Sequence, residues 1–265
     1  MNSIAPEIFA DIKQRLLGIE RDHDVTVLYA CESGSRAWGF ESKDSDYDVR
    51  FIYVRRPDWY LAIDLERKRD VIELPINEVL DISGWDIRKS LQLFHKSNPP
   101  LNEWLVSPIV YQSRGQFATR LRELGPQSYN PIAAHYHYLR MANNNFRDYL
   151  KGETVRRKKY LYVLRPLLAI NWLETQDGVV PIEFERLVDS VIADRDLRSE
   201  VDELLLLKRN GLEADEGPRF ETIHRYIEAE FSRHGDNHNQ TPGSRADLAV
   251  LNQLFRDTIR DDAPN

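Results

Sequence analysis

The sequence predicts an α+β fold: a small mixed β-sheet with helices over residues 1–126, followed by an all-helical C-terminal domain over residues 131–265. Three observations predict it. Short apolar runs rich in strand-forming residues, at 25–31, 46–54 and 78–83, fall early and alternate with helical patterns. After Pro131 every apolar pattern repeats at helical spacing. Between the two lies the polar stretch Gln127-Ser128-Tyr129-Asn130, the best candidate boundary.

Taken in order, Ile8, Phe9, Ile12, Leu16 and Ile19 share helical spacing over residues 6–20, and the run at 25–31 reads as the first strand. Ser33-Gly34-Ser35 follows, where glycine allows close backbone approach and the next residues open a short helix whose free N–H groups can hold an anion. Residues 46–54 form a second strand, broken by Arg55-Arg56-Pro57-Asp58. Residues 71–74 read as an edge strand or hairpin arm, and 78–83 as a third main strand. A helix over 87–94 is stopped by Ser97-Asn98-Pro99-Pro100 before a short turn holding Leu101, Trp104 and Leu105. Another helix over 115–124 ends at Gly125-Pro126. Asn130 caps the next helix with Pro131 at its first position. Helices are expected over 132–150, 157–175, 182–193, 197–208, 220–231 and 245–260, and an exposed loop over 234–241.

With 265 residues and 42% hydrophobic side chains, the chain can bury a sizeable core. It has no apolar run long enough for a membrane span, and Met1-Asn2-Ser3-Ile4-Ala5-Pro6 lacks the basic start and apolar stretch of a secretory leader, so a cytoplasmic location is expected. The single cysteine, Cys31, follows an apolar run and reads as a buried structural thiol. A formal net charge of −7 argues against tight nonspecific binding of long nucleic acid over the whole surface, though not against a local basic cleft.

The chemistry concentrates at Ser33-Gly34-Ser35 and Asp46-Tyr47-Asp48-Val49. In a strand, side chains alternate faces, so Asp46 and Asp48 point the same way with Cα atoms roughly 6.5–7 Å apart. Two like charges 4 Å apart at an effective dielectric near 20 repel by about 4 kcal/mol, a cost a divalent cation cancels. Magnesium prefers hard oxygen ligands, commonly one or two carboxylates plus substrate phosphates, which is the set offered here.

A Gly-Ser turn followed by Asp-hydrophobic-Asp-hydrophobic resembles the signature of the DNA polymerase beta superfamily of nucleotidyltransferases. More narrowly, Glu32-Ser33-Gly34-Ser35-Arg36-Ala37-Trp38-Gly39-Phe40, Asp44-Ser45-Asp46-Tyr47-Asp48-Val49-Arg50 and Lys96-Ser97-Asn98-Pro99-Pro100 resemble the nucleotidyltransferases named for their association with RNA ligases. This resemblance covers about the first 115 residues well and 130–175 more loosely. It implies a nucleotidyltransferase core, magnesium, a bound nucleoside triphosphate, ATP above all, and in-line attack on its α phosphorus. It also implies a third carboxylate on a neighbouring strand, for which Leu80-Asp81-Ile82 fits, so Asp46, Asp48 and Asp81 are the expected metal ligands and catalytic residues. Asp86 is the rival, but it stands where a helix N-cap is expected. Gly34 and Ser35 would hold phosphates, with Arg36 within reach of the same ligand.

In the helical half, Arg156-Arg157-Lys158-Lys159 leads into a helix apolar on nearly every side. Lys158, Tyr162 and Arg165 share one of its faces, and Lys159 and Arg165 are candidate nucleotide-binding cations, the alternative being a solvated helix start with Arg165 paired to Asp148 or Glu153. His135 and His137 flank Tyr136, point in different directions, and read as structural. Trp38, Trp59, Tyr60 and Trp85 could stack bases or fill the core. Three functions stay open: transfer to an RNA or other hydroxyl acceptor, a catalytically silent nucleotide-binding module, and a protein-modifying transferase of a toxin–antitoxin type system.

Overall fold

Ile12, Leu16 and Ile19, spaced to share a helix face, are buried on the inner side of α1 (Pro6–His23), which ends as Asp24 turns left-handed at φ 51°. In the computed structural model, which describes residues 4–76, 79–211, 216–235 and 246–264, this helix leads into β1 (Val25–Ser33) and the short α2 (Gly34–Trp38). There follow β2 (Tyr47–Arg55), α3 (Pro57–Tyr60), β3 (Val71–Glu73), β4 (Leu80–Asp86), α4 (Ile87–His95), α5 (Pro99–Leu105), β5 (Val110–Ser113) and α6 (Phe117–Ser128). The later elements are α7 (Pro131–Tyr149), β6 (Thr154–Arg156), α8 (Lys159–Thr175), α9 (Phe184–Val191), α10 (Arg195–Arg209), β7 (Glu216–Pro218), α11 (Glu221–Gly235) and α12 (Leu248–Asp262). Among the described residues no helix is long and apolar enough to cross a membrane.

Contacts divide the chain into two units, one of Met1–Ala37, Asp46–Tyr129 and Ser244–Asn265, the other of Trp38–Ser45 and Asn130–Gly243. The first is a five-stranded mixed sheet in the order β3-β4-β2-β1-β5. β1 runs antiparallel to β2 and β5, β2 parallel to β4, and β3 antiparallel to β4. Alternation along β2 splits its side chains: Val49, Phe51 and Tyr53 join the core under α1, while Ile52 and Val54 join a second core with α4, α5, α6 and α12. Asp48 and Arg50 share the parity of Ile52, and Asp81 shares that of Trp85, so these polar side chains emerge on the second face.

Several expectations change. The second strand begins at Tyr47, so Asp46 lies just before it, and the third runs on to Asp86; Glu78, its expected start, lies outside the described residues. The segment expected as a turn around Trp104 is the helix α5, capped by Asn98, whose side chain accepts from Leu101 N–H. α6 passes through Pro126 because proline removes a single N–H in the last turn, which Tyr129 N–H closes by donating to Gly125 O. β5 was not expected. Nor were β6 and β7, a two-stranded ribbon within the otherwise helical second unit. α12 packs on α4, α6 and β2, and therefore belongs with the sheet rather than with the preceding helices. His234, expected at the start of an exposed loop, is buried in the last turn of α11. The rest of that expected loop, 236–241, lies outside the described residues.

In the second unit α8 is the central helix: every residue from Tyr160 to Ile170 except Tyr162 is buried, which is why its sequence is apolar on nearly all sides. It packs on α7, α9 and α11. The segment Trp38–Ser45 is held within this unit by Phe40 against Phe184 and by Lys208 Nζ, 3.3 Å from both Ser42 Oγ and Ser45 Oγ.

Candidate active site

The parallel pairing of β2 with β4 sets Asp48 directly opposite Asp81. Their side chains emerge on the same face, and Arg50, two residues along β2, reaches between them: its guanidinium donates to Asp48 Oδ1 at 3.1 Å and to Asp81 Oδ2 at 2.7 Å, and also to the carbonyls of Asp81 and Val49. Like charges on adjacent strands repel, and the fork geometry of arginine satisfies both at once. The position of Arg50 two residues after Asp48 in the motif is the sequence signal that the two share a face.

The Gly-Ser turn closes over this pair. Gly34 adopts φ +60°, and a Cβ added to it would lie 2.0 Å from Asp48 Oδ2, so only glycine lets the backbone approach the carboxylate this closely. Ser35, the next residue, is buried. Arg36 lies over the Tyr47 ring at 3.9 Å from its centroid, and its Nε donates to the Asp46 carbonyl at 3.2 Å. The exposed Asp46 adds negative charge near Asp48. Burial pushes the Asp48 pKa up, opposed by Arg50 and reinforced by Asp81 and Asp46.

Beneath Asp48, on the α1 side of the sheet, sits an acid that the sequence reading left without a role. Glu32 is fully buried at the end of β1, accepting from Asp48 N–H at 3.0 Å and from Tyr111 Oη–H at 2.6 Å. Burial raises its pKa to about 7, against the pull of these two donors. Tyr111 is 79 residues away on the unexpected β5, so nothing local in the sequence marked the pair.

The candidate cations of the second unit form an aromatic cluster. Lys159 Nζ lies 4.0 Å from the Tyr149 ring centroid and 5.0 Å from that of Tyr162, and burial, then Lys158 and Arg156, lower its pKa. Arg165 is buried, with its guanidinium 4.5 Å from the Trp38 ring centroid, and Tyr162 packs edge-on to Trp38. The acids considered as partners for Arg165 are engaged elsewhere, Asp148 by Arg147 and Glu153 by Arg219.

Asp86, the rival third carboxylate, is a buried N-cap of α4 that accepts from Arg88 N–H and Tyr60 Oη–H. Cys31 is buried, and burial raises its thiol pKa. Trp85 stacks on Trp104, and Tyr60 packs on Phe255, so both fill the core; Trp59 carries Arg55 and Lys68 on its ring.

Comparison with known proteins gives the family. The model of the RNA repair pathway DNA polymerase beta family, RlaP, matches residues 8–257, well past the motif-bearing part. A Bacillus subtilis (strain 168) protein named YcgL, described as uncharacterized, is 46% identical over 255 residues, spanning 94% of this chain and 97% of its own. A looser likeness, with TM-score 0.30 and 11% identity over 93% of this chain and 75% of the other, is to a nucleotidyltransferase-like protein from Exiguobacterium sibiricum 255-15. By its match over nearly the whole chain, the protein belongs to the RNA repair pathway DNA polymerase beta family.

Proposed function

We propose that the protein transfers a nucleoside monophosphate from a nucleoside triphosphate, ATP as donor, to a hydroxyl of an RNA acceptor. The observation that carries this reading is the opposition of Asp48 and Asp81 on parallel strands with Gly34 against the Asp48 carboxylate. Hard carboxylate oxygens gathered under a glycine turn fit magnesium, which Asp46, Asp48 and Asp81 would hold and which, when bound, offsets phosphate charge and acidifies the attacking hydroxyl.

The chain's own groups do the rest. Arg50 fixes the rotamers of Asp48 and Asp81, so the two carboxylates need little rearrangement on loading. Gly34 and Ser35 offer backbone N–H groups to the β and γ phosphates, and Arg36 adds positive charge beside them. For Lys159, set against the Tyr149 and Tyr162 rings, we propose a nucleotide-binding role. For Arg165, buried against Trp38, we propose a supporting role through that ring. An RNA acceptor is supported by the family's name, and the net charge of −7 favours a short one.

The test is incubation of the full chain with α-labelled ATP, magnesium and either short RNA or cell lysate, comparing wild type with Asp81→Asn. Label should appear on RNA and fall by about 100- to 1000-fold in the variant, with triphosphate affinity nearly unchanged. Label on protein would replace the RNA acceptor with a protein one. Binding without transfer would reduce the chain to a silent nucleotide-binding module.

A further inference from the structure

Within the second unit, three helices bring His135, Glu174 and His234 together, with one ligand atom from each within 4.8 Å of the others. His135 lies one turn into α7, Glu174 in the last turn of α8 and His234 in the last turn of α11. His234 is 2% exposed, and neither of its ring nitrogens makes a hydrogen bond of acceptable geometry. Its Nδ1 lies 3.7 Å from Glu174 Oε1 and its Nε2 3.3 Å from Glu230 Oε2, while the His135 ring packs edge-on at 4.9 Å between centroids. A buried imidazole with no hydrogen bond is costly unless something else uses its lone pair.

We propose that His135, Glu174 and His234 form a zinc site that ties α7, α8 and α11 together, separate from the carboxylates of the sheet. Two imidazoles and a carboxylate are a zinc ligand set, open at a fourth position. Zn–N bonds of about 2.0–2.1 Å in tetrahedral geometry place ligand atoms about 3.4 Å apart, so the present spacing needs only a small inward movement. The surroundings match what such ligands require. With Nδ1 of His234 on the metal, its Nε2–H is left facing Glu230, the usual carboxylate support for a ligating histidine. Arg233 holds both Glu230 Oε2, at 2.7 Å, and Glu174 Oε2, at 2.6 Å, fixing the two carboxylates while leaving Glu174 Oε1 toward His234. The C-terminal ends of α8 and α11 add partial negative charge.

The test uses the full chain, stripped with a chelator and titrated with Zn2+ against a chromophoric competitor, with thermal unfolding measured in parallel. One Zn2+ should bind per chain and raise Tm by several degrees. His135→Ala, at a half-buried position where the metal-free fold should persist, should weaken binding by about 100-fold or more and abolish the Tm shift. Asp81→Asn should bind Zn2+ like the wild type, so loss of transfer and loss of zinc remain separable. Absence of stoichiometric Zn2+, or equal affinity in His135→Ala, would overturn the site and leave a histidine–glutamate–arginine ion-pair network in its place.

Discussion

The Asp48–Asp81 pair in the sheet and the His135–Glu174–His234 cluster among the helices both collect titratable side chains, yet their ligand atoms and their neighbours differ. In the sheet the donors are all hard oxygens, and a guanidinium is woven between them from the same strand. Among the helices the guanidinium of Arg233 holds Glu174, Glu230 and the Asn171 side-chain oxygen, and the ring nitrogens of buried His234 make no hydrogen bond. On the proposals made above, carboxylates already balanced by arginine would wait for a substrate-borne magnesium ion, whereas the buried His234 imidazole, flanked by carboxylates but making no hydrogen bond, would hold a resident metal.

The largest effect that would separate the two regions comes from Gly34→Ala. The new methyl would meet Asp48 Oδ2 in a left-handed backbone position, so transfer should fall by at least about 100-fold and stability by about 2 kcal/mol, with zinc affinity unchanged. Transfer assays and urea unfolding check both. Next is Arg50→Lys: one ammonium cannot reproduce the four bonds of the guanidinium, so the unfolding free energy should drop by about 1–2 kcal/mol in chelator, with the loss shrinking in millimolar magnesium. If magnesium does not restore stability, Arg50 is a structural strut rather than a counter-ion.

The smallest effect is a pH dependence. Glu32 has an ordinary value of 4.5 in the unfolded chain and about 7 in the fold. The folded state thus keeps a proton that the unfolded chain has released between those values, and the stability this gives is complete below pH 4.5 and lost as pH rises toward 7. Glu32→Gln should flatten the fall in Tm across that window when measured in chelator. Equal slopes for the two proteins would contradict the burial argument.

What the sequence made legible is what neighbouring residues encode. The glycine before Ser35, the Asp86 and Asn130 caps, and the all-apolar α8 each follow from a few adjacent side chains. What stayed hidden depends on distant partners. Glu32 gains its meaning from Tyr111 on a four-residue edge strand too short to show periodicity, and His234 meets His135 only because α7 and α11 both pack against α8. The docking of α12 onto the sheet is likewise invisible, since an amphipathic helix does not declare which surface its apolar face will cover.

The most direct measurement is a Mn2+ titration followed by electron paramagnetic resonance, with and without a nonhydrolysable ATP analogue, on wild type, Asp48→Asn and Asp81→Asn. The wild type should gain nucleotide-dependent Mn2+ sites that either substitution weakens by at least about tenfold. Nucleotide-dependent Mn2+ binding that is the same in all three proteins would contradict the assignment of these opposed aspartates as the metal-holding centre.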